Sequence, residues 1–382
     1  MNPIKKGDMT RSRVLDILRA LAVFLVLGRH MDVCPQDLNR SLYQLTTIWN
    51  RGGWVGVDLF FVLSGFLISG LLFREHQKFG TISFKNFFIR RGFKIYPSFY
   101  VLILVTVIVR LRRGSPVPFG DFAHEILFLQ NYFVSLWGHT WSLAVEEHFY
   151  IMLPLALVVC LRLKRSDQPF RWVPIVFIAI AITCLGLRVY RASANYESTL
   201  FPTHLRIDSL FAGVVISYFY HYYAVNFAQF ARRYRWWLLA LGVICFIPTF
   251  VFQLERTPFI YTYELSILWV GGGLVLVSLI NATLPEKWPT RVLSFVGSRS
   301  YSIYLWHIPL AWALGFQKAH YIRGFNWYSY AGLFLTGSVL LGIFMASLIE
   351  YPALQLRDRL VSSRSQPLNL LPAPRKLAQG DI

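Results

Sequence analysis

Ten stretches of this 382-residue chain read as candidate membrane spans, and that recurrence constrains the fold more than any motif does. A helix needs about 20 predominantly apolar residues to cross the hydrocarbon core of a bilayer. The runs fall at 14–31, 54–73, 95–111, 141–161, 174–190, 206–224, 236–254, 262–282, 300–317 and 328–350. In lipid every backbone N–H and C=O must be satisfied within the protein, so such runs form helices. Composition agrees, with 55% hydrophobic residues, 15% charged residues and a mean hydropathy of +0.47. An ordinary soluble domain carries about 25% charged residues. The expectation is an all-α, polytopic transmembrane helical bundle of about ten spans. Intrinsic disorder, a collagen-like chain and a disulfide scaffold are excluded by the same numbers. The segment 119–133 is apolar but short and carries Asp121 and Glu125, which predicts an interfacial or re-entrant piece.

The net charge is +19. In a soluble chain that would point to nucleic acid, but here the basic residues flank apolar runs and no folded basic domain is left over, so no nucleic-acid partner is expected. Placing the N-terminus inside puts 25 Lys and Arg in the inside segments and 8 in the outside loops. By the positive-inside rule both termini are then cytoplasmic. The first run follows Lys5, Lys6, Arg11 and Arg13 and lacks a convincing cleavage site, so it is expected to stay as a helix. The expected layout is a transmembrane domain over 1–355, a flexible cytoplasmic tail over 356–382, and a multi-pass location in the plasma (inner) membrane among its lipids. The four cysteines, Cys34, Cys160, Cys184 and Cys245, show no metal-ligand spacing, and no metal is expected.

Ionisable groups inside a bilayer are costly, which makes each a functional candidate. The first run, LDILRALAVFLVLGRHM, carries Asp16, Arg19 and His30. At 100° per residue the three share one stripe, and Arg19 and His30 lie about 16 Å apart along the axis. That separation suits an extended phosphopantetheine arm, with phosphate held at the Arg end and a thioester worked on at the His end. An Asp16–Arg19 structural pair and a satisfied core histidine are the alternative. The segment WGHTWSLAVEEHFY supplies His139, Trp141, Glu146, Glu147 and His148. A carboxylate near an imidazole can orient it as a general base for a hydroxyl; helix-to-helix hydrogen bonding is the alternative. Two adjacent carboxylates cannot both face one partner. In FFIRRGFKIYP, the cations Arg90, Arg91 and Lys94 form a cluster suited to a polyphosphate; lipid headgroups would suit it too. Asp58, Arg206, Asp208, His307 and Glu350 are further polar residues within spans, for which packing roles are as good.

Six blocks in order, LDILRALAVFLVLGRH, GVDLFFVLSGFLIS, FFIRRGFKIYP, HTWSLAVEEHFY, RIDSLFAG and SYSIYLWHIP, resemble the acyltransferase 3 family of integral membrane acyltransferases. The resemblance extends to IEYP at 349–352 and includes the spacing of Arg19, ten residues and His30. It implies a ten-span fold that moves an acyl group, most often acetyl, from cytoplasmic acyl-CoA (acetyl-CoA) to a hydroxyl. Acceptors in the family are typically sugars of lipopolysaccharide, exopolysaccharide, peptidoglycan or another carbohydrate or glycolipid. It implies His30 as catalytic base with Arg19 as its motif partner, and Glu146 as an active-site carboxylate; Asp16, on the same stripe, is a further catalytic candidate. It also implies Arg90 and Arg91 as CoA-phosphate contacts; Lys94, from the same cluster, and Arg19, from the stripe, are candidates for the same role. Asp58, His139, Trp141 and His307 are the candidate substrate contacts. Many relatives have Gln where this chain has His148, which leaves His148 without an expected role. Oligomeric state is not legible. The competing class is a transporter, such as a flippase of a lipid-linked glycan, which buried charges and many spans would also fit.

Overall fold

A computed structural model describes residues 13–162, 170–193, 195–282, 284–320 and 326–360, with the side chains of 316–320 left aside. Among the described residues the chain is all helical, with no strand. Each of the ten apolar runs coincides with a helix or a helix pair. Five helices are long and apolar enough to cross a membrane: Val55–Phe79, Phe84–Arg112, Gly138–Arg162, Val173–Tyr190 and Trp327–Leu360. A sixth crossing arises if the pair Ala224–Arg233 and Arg235–Val251, bent by 74°, counts as one span. The first helix, Arg13–His30, carries too many charges to pass on composition, and Glu264–Leu279 is too short.

The local boundaries have physical causes. The basic FFIRRGFKIYP block is helix from its first residue rather than a loop ahead of a span, because Ser83 caps Phe84–Arg112 with its hydroxyl on the Asn86 N–H. Only Gly80–Ser83 connects that helix to Val55–Phe79, and Gly80 closes the earlier helix with φ at 70°, a conformation glycine adopts at no steric cost. The run 236–254 is not one continuous helix. It breaks after Ile244 and resumes as Ile247–Val251 with Pro248 in its first turn, where a missing N–H costs nothing. Residues 225–235, expected as a connection, are mostly the amphipathic helix Ala224–Arg233. The segment 119–133 contains the short helix Phe119–Ile126. At the other end, a π-turn at Ala346–Glu350 joins Trp327–Met345 to Tyr351–Leu360. The helix therefore runs to Leu360, and 361–382, the rest of the expected tail, lies outside the described residues.

The helices of the centre pack at backbone distance. Val55–Phe79 and Ile207–Tyr222 make the most extensive helix pair. Gly65 and Gly213 sit at that crossing, and a Cβ on Gly65 would lie 1.8 Å from the Leu210 carbonyl oxygen. Small residues that let backbones approach replace the hydrophobic drive that lipid removes. The first helix packs on Val55–Phe79, on Trp288–Gly297 and on Ser300–His320. These contacts put Arg19 and His30 at the two ends of one interior face.

Two buried ion pairs brace the same bundle. Arg188 holds Asp208 at 2.8 and 3.2 Å and donates to Ser266, while Trp269 also donates to Asp208. Arg206 donates to Asp58 at 2.8 Å, and both of its ring neighbours, Phe61 and Trp141, lie within 6 Å. All four charged side chains are fully buried.

Candidate active site

A cavity with about 860 Å³ of empty space, part of it open to solvent, lies between the helices. Its walls follow from helical periodicity. Val57, Phe60, Phe61 and Ser64 recur at the spacing of one helix face, as do Ser142, Leu143, Glu146 and Glu147, then Arg91, Lys94 and Ile95, then Ser300, Tyr301 and Tyr304. Arg19, Gly297 and Ser298 complete it. Three cations and two carboxylates thus face a space also lined by aromatic rings.

Each charge is positioned by a partner. Arg19 donates to Asp16 at 3.1 Å, and Asp16 is buried. Lys94 pairs with Glu350, whose other oxygen accepts from Ser302 at 2.9 Å. The Arg91 guanidinium stacks 4.0 Å from the centre of the Tyr150 ring. Tyr150 donates its hydroxyl to Glu146, and Ser64 donates to the other Glu146 oxygen at 3.1 Å. Glu147, the adjacent carboxylate, takes a different partner, the Tyr96 hydroxyl at 3.0 Å. The two glutamates share the cavity and divide their neighbours.

At one end of the cavity Ser142 is hydrogen-bonded to Tyr304 at 2.7 Å, and the Tyr304 hydroxyl donates to the carbonyl of His139. Beyond that link three histidines converge from distant parts of the chain. His30 and His307 have ring centres 5.0 Å apart, with Nδ1 of His30 3.0 Å from Nε2 of His307. His139 and His307 have ring centres 5.4 Å apart. His139 donates from Nε2 to the Leu305 carbonyl at 3.2 Å, and its Nδ1 is buried without a partner. His30 is half-buried, His139 and His307 buried.

Sequence reasoning named both sets of residues without seeing that they occupy neighbouring sites. Arg19, Arg91, Lys94 and Glu146 line the cavity, whereas His30, His139 and His307 gather past Tyr304. Arg90, one position from Arg91 and so about 100° round the helix, is not among the lining residues. Asp58 does not line it either; it is held by Arg206, and Trp141 packs edge-on against Phe61 and beside Arg206. Glu146 is bonded to Ser64 and Tyr150 rather than to His30. His148 faces away, to Thr203 at 2.6 Å. Ser64, Tyr96, Ser142, Ser302 and Tyr304 went unremarked. Periodicity could have found two of them: Ser142 precedes Glu146 by four residues, and Tyr304 precedes His307 by three.

Comparison with known proteins agrees with the blocks that drew attention first. A family model described as an acyltransferase domain, of the acyltransferase 3 family, matches residues 13–348. The chain belongs to this family. Its relatives include "Peptidoglycan O-acetyltransferase OatA" of Listeria monocytogenes, 28% identical over 321 residues, covering 78% of this chain and 49% of that one. "Putative O-acetyltransferase SACOL0978" of Staphylococcus aureus is 28% identical over 344 residues, with 81% and 52% covered. "Putative peptidoglycan O-acetyltransferase YrhL" of Bacillus subtilis is 26% identical over 319 residues, with 78% and 48% covered. The chain therefore spans about half the length of these relatives. No solved structure gives a significant match. Among the described residues no group of three or more His, Cys, Asp or Glu side chains is arranged so that it could hold a metal ion.

Proposed function

We propose that this chain is a membrane O-acyltransferase that moves an acyl group, acetyl first among the candidates, from acyl-CoA to a hydroxyl of a glycan. The wall polysaccharide that two relatives are named for, or a lipid-linked saccharide, is the acceptor class. The observation that carries the proposal is the cavity with Arg19, Arg91 and Lys94 on its walls, ending at a hydrogen-bonded link one helical turn from the His30–His307 pair. A cationic cavity suits the phosphates of CoA. Glu146 and Glu147 offer acceptors to the amide N–H groups of the pantetheine arm. Arg90 is set aside as a direct contact, and Asp58 and Trp141 act as bracing for the bundle.

In the chemical step Nε2 of His30 takes the proton of the acceptor hydroxyl as its oxygen attacks the thioester carbonyl carbon. The C–S bond breaks, the acyl group stays on the acceptor oxygen, and the CoA thiolate recovers the proton from Nε2. For this to happen the thioester must pass the Ser142–Tyr304 link to reach His30. In the topology that belongs with it, ten crossings leave both termini in the cytoplasm of a plasma membrane, so the basic cavity opens toward cytoplasmic acyl-CoA.

The test is mass spectrometry of surface glycans from three strains of the native host: gene deleted, complemented with the wild-type chain, and complemented with His30→Ala at matched expression. An acylated species restored by the wild type alone supports the proposal and identifies the acyl group. No change in any acylated species would contradict it and bring transport of a glycan forward.

A further inference from the structure

The contacts of His307 fix where its protons can be. Its Nδ1 lies 2.5 Å from the Tyr304 carbonyl oxygen, and a carbonyl can only accept, so Nδ1 carries a hydrogen. In the neutral ring Nε2 is then a bare lone pair, aimed at Nδ1 of His30 at 3.0 Å. His30 Nδ1 also lies 3.1 Å from the Val26 carbonyl oxygen. A bare His30 Nδ1 would face that oxygen lone pair to lone pair. One assignment satisfies all three contacts: His30 holds its hydrogen on Nδ1 and shares it between Val26 and His307. Its Nε2 is left as a lone pair with no hydrogen bond to any described residue. The residue that completes this arrangement is 277 positions away in sequence, on the helix Ser300–His320.

We propose that His307 is a positioning residue: it holds His30 in the Nδ1–H tautomer with Nε2 bare, and takes up part of the charge when His30 becomes an imidazolium. This rests on His30 being the base of the proposed reaction and reassigns His307 from contacting substrate to acting through His30. A hydrogen bond from the opposite ring nitrogen decides which nitrogen of a histidine is available for chemistry. The Tyr304 backbone supplies the fixed point of the relay. A neutral imidazole does here what a carboxylate does in other base-orienting pairs, without burying a negative charge.

The test uses the full-length protein in lipid nanodiscs, with acetyl-CoA as donor and an N-acetylhexosamine oligosaccharide as acceptor. In His307→Leu, which fills space but accepts nothing, kcat falls by about 10-fold to 100-fold while KM for acetyl-CoA is unchanged. In His307→Gln, whose amide oxygen can accept from His30 Nδ1–H, most of that loss is recovered. Solid-state 15N NMR of histidine-labelled protein, assigned against His30→Gln, shows a protonated Nδ1 and a bare Nε2 on His30. Wild-type kcat in His307→Leu alongside an inactive His30→Gln overturns the inference and leaves the base assignment standing. A raised KM at unchanged kcat, or equal losses in the Leu and Gln variants, overturns it in favour of a substrate contact or packing. Full activity in His30→Gln removes the base assignment itself. If His307→Leu does not fold, the tautomer read in the wild-type protein decides.

Discussion

The Arg91 guanidinium lies over the Tyr150 ring, 4.0 Å from its centre, and the hydroxyl of that same Tyr150 is spent on Glu146. One tyrosine thus steers a cation and a carboxylate onto the same cavity wall. Arg90, its neighbour in sequence, is not on that wall. Arg91→Ala is expected to raise KM for acetyl-CoA about 10-fold, the size of one charge-assisted hydrogen bond. Arg90→Ala should stay within about 2-fold of wild type by the same scale. Steady-state kinetics on the two purified variants checks this, and equal effects would mean that both cations reach the donor.

The pairs Asp58–Arg206 and Asp208–Arg188 are fully buried, so their loss should show as instability rather than as altered substrate binding. Asp208→Asn leaves Arg188 buried without its counter-charge, and breaking such a pair costs about 3–5 kcal/mol. Asp58→Asn should act in the same direction, with Arg206 still beside the Phe61 and Trp141 rings. Thermal unfolding in detergent, against the exposed Asp37→Asn as control, measures the difference. KM for the acceptor in the folded fraction should be unchanged; a raised KM would return Asp58 to the substrate site.

Gly297 packs against the first helix so closely that a Cβ would lie 1.6 Å from the Asp16 carbonyl oxygen. Gly297→Ala must push Trp288–Gly297 away from the turn that carries Arg19. Overpacking of this kind costs about 1–3 kcal/mol. Because Gly297 and Arg19 both line the cavity, KM for acetyl-CoA should rise along with the loss of stability. Thermal unfolding and kinetics on one preparation test both effects.

Much of this site was legible in the sequence, for reasons particular to each residue. The stripe of Arg19 and His30 follows from helical periodicity within one segment, and the structure keeps both on one helix. Glu146 lines the cavity, but its partners are Ser64 and Tyr150 rather than His30. What could not be read was which distant face each side chain meets. His30, His139 and His307 are 109 and 168 residues apart in succession, and only tertiary packing brings them together. The same limit hid Glu350 as the partner of Lys94, 256 residues away. Continuity also misled: hydropathy does not register that Pro248 follows a break in the run 236–254, since isoleucine and phenylalanine carry the score across it.

Topology offers an independent check, since apolarity alone accounts for five or six of the ten proposed crossings. Reporter fusions after residue 13 and after Leu360, together with single cysteines at Asp37 and Glu286, should report the two ends and Glu286 as cytoplasmic and Asp37 as outside. Labelling of position 286 from outside would reverse the orientation of the cavity and remove its access to cytoplasmic acyl-CoA.

The most direct measurement is single-turnover transfer of radiolabelled acetyl from acetyl-CoA to a saccharide acceptor by the purified full-length protein, comparing wild type with His30→Gln. The expected result is transfer by the wild type and loss of about 100-fold or more in rate for the variant, with acetyl-CoA still bound by both. Equal rates would contradict His30 as the base, and no transfer by the wild type with any acyl donor or glycan would contradict the proposed function.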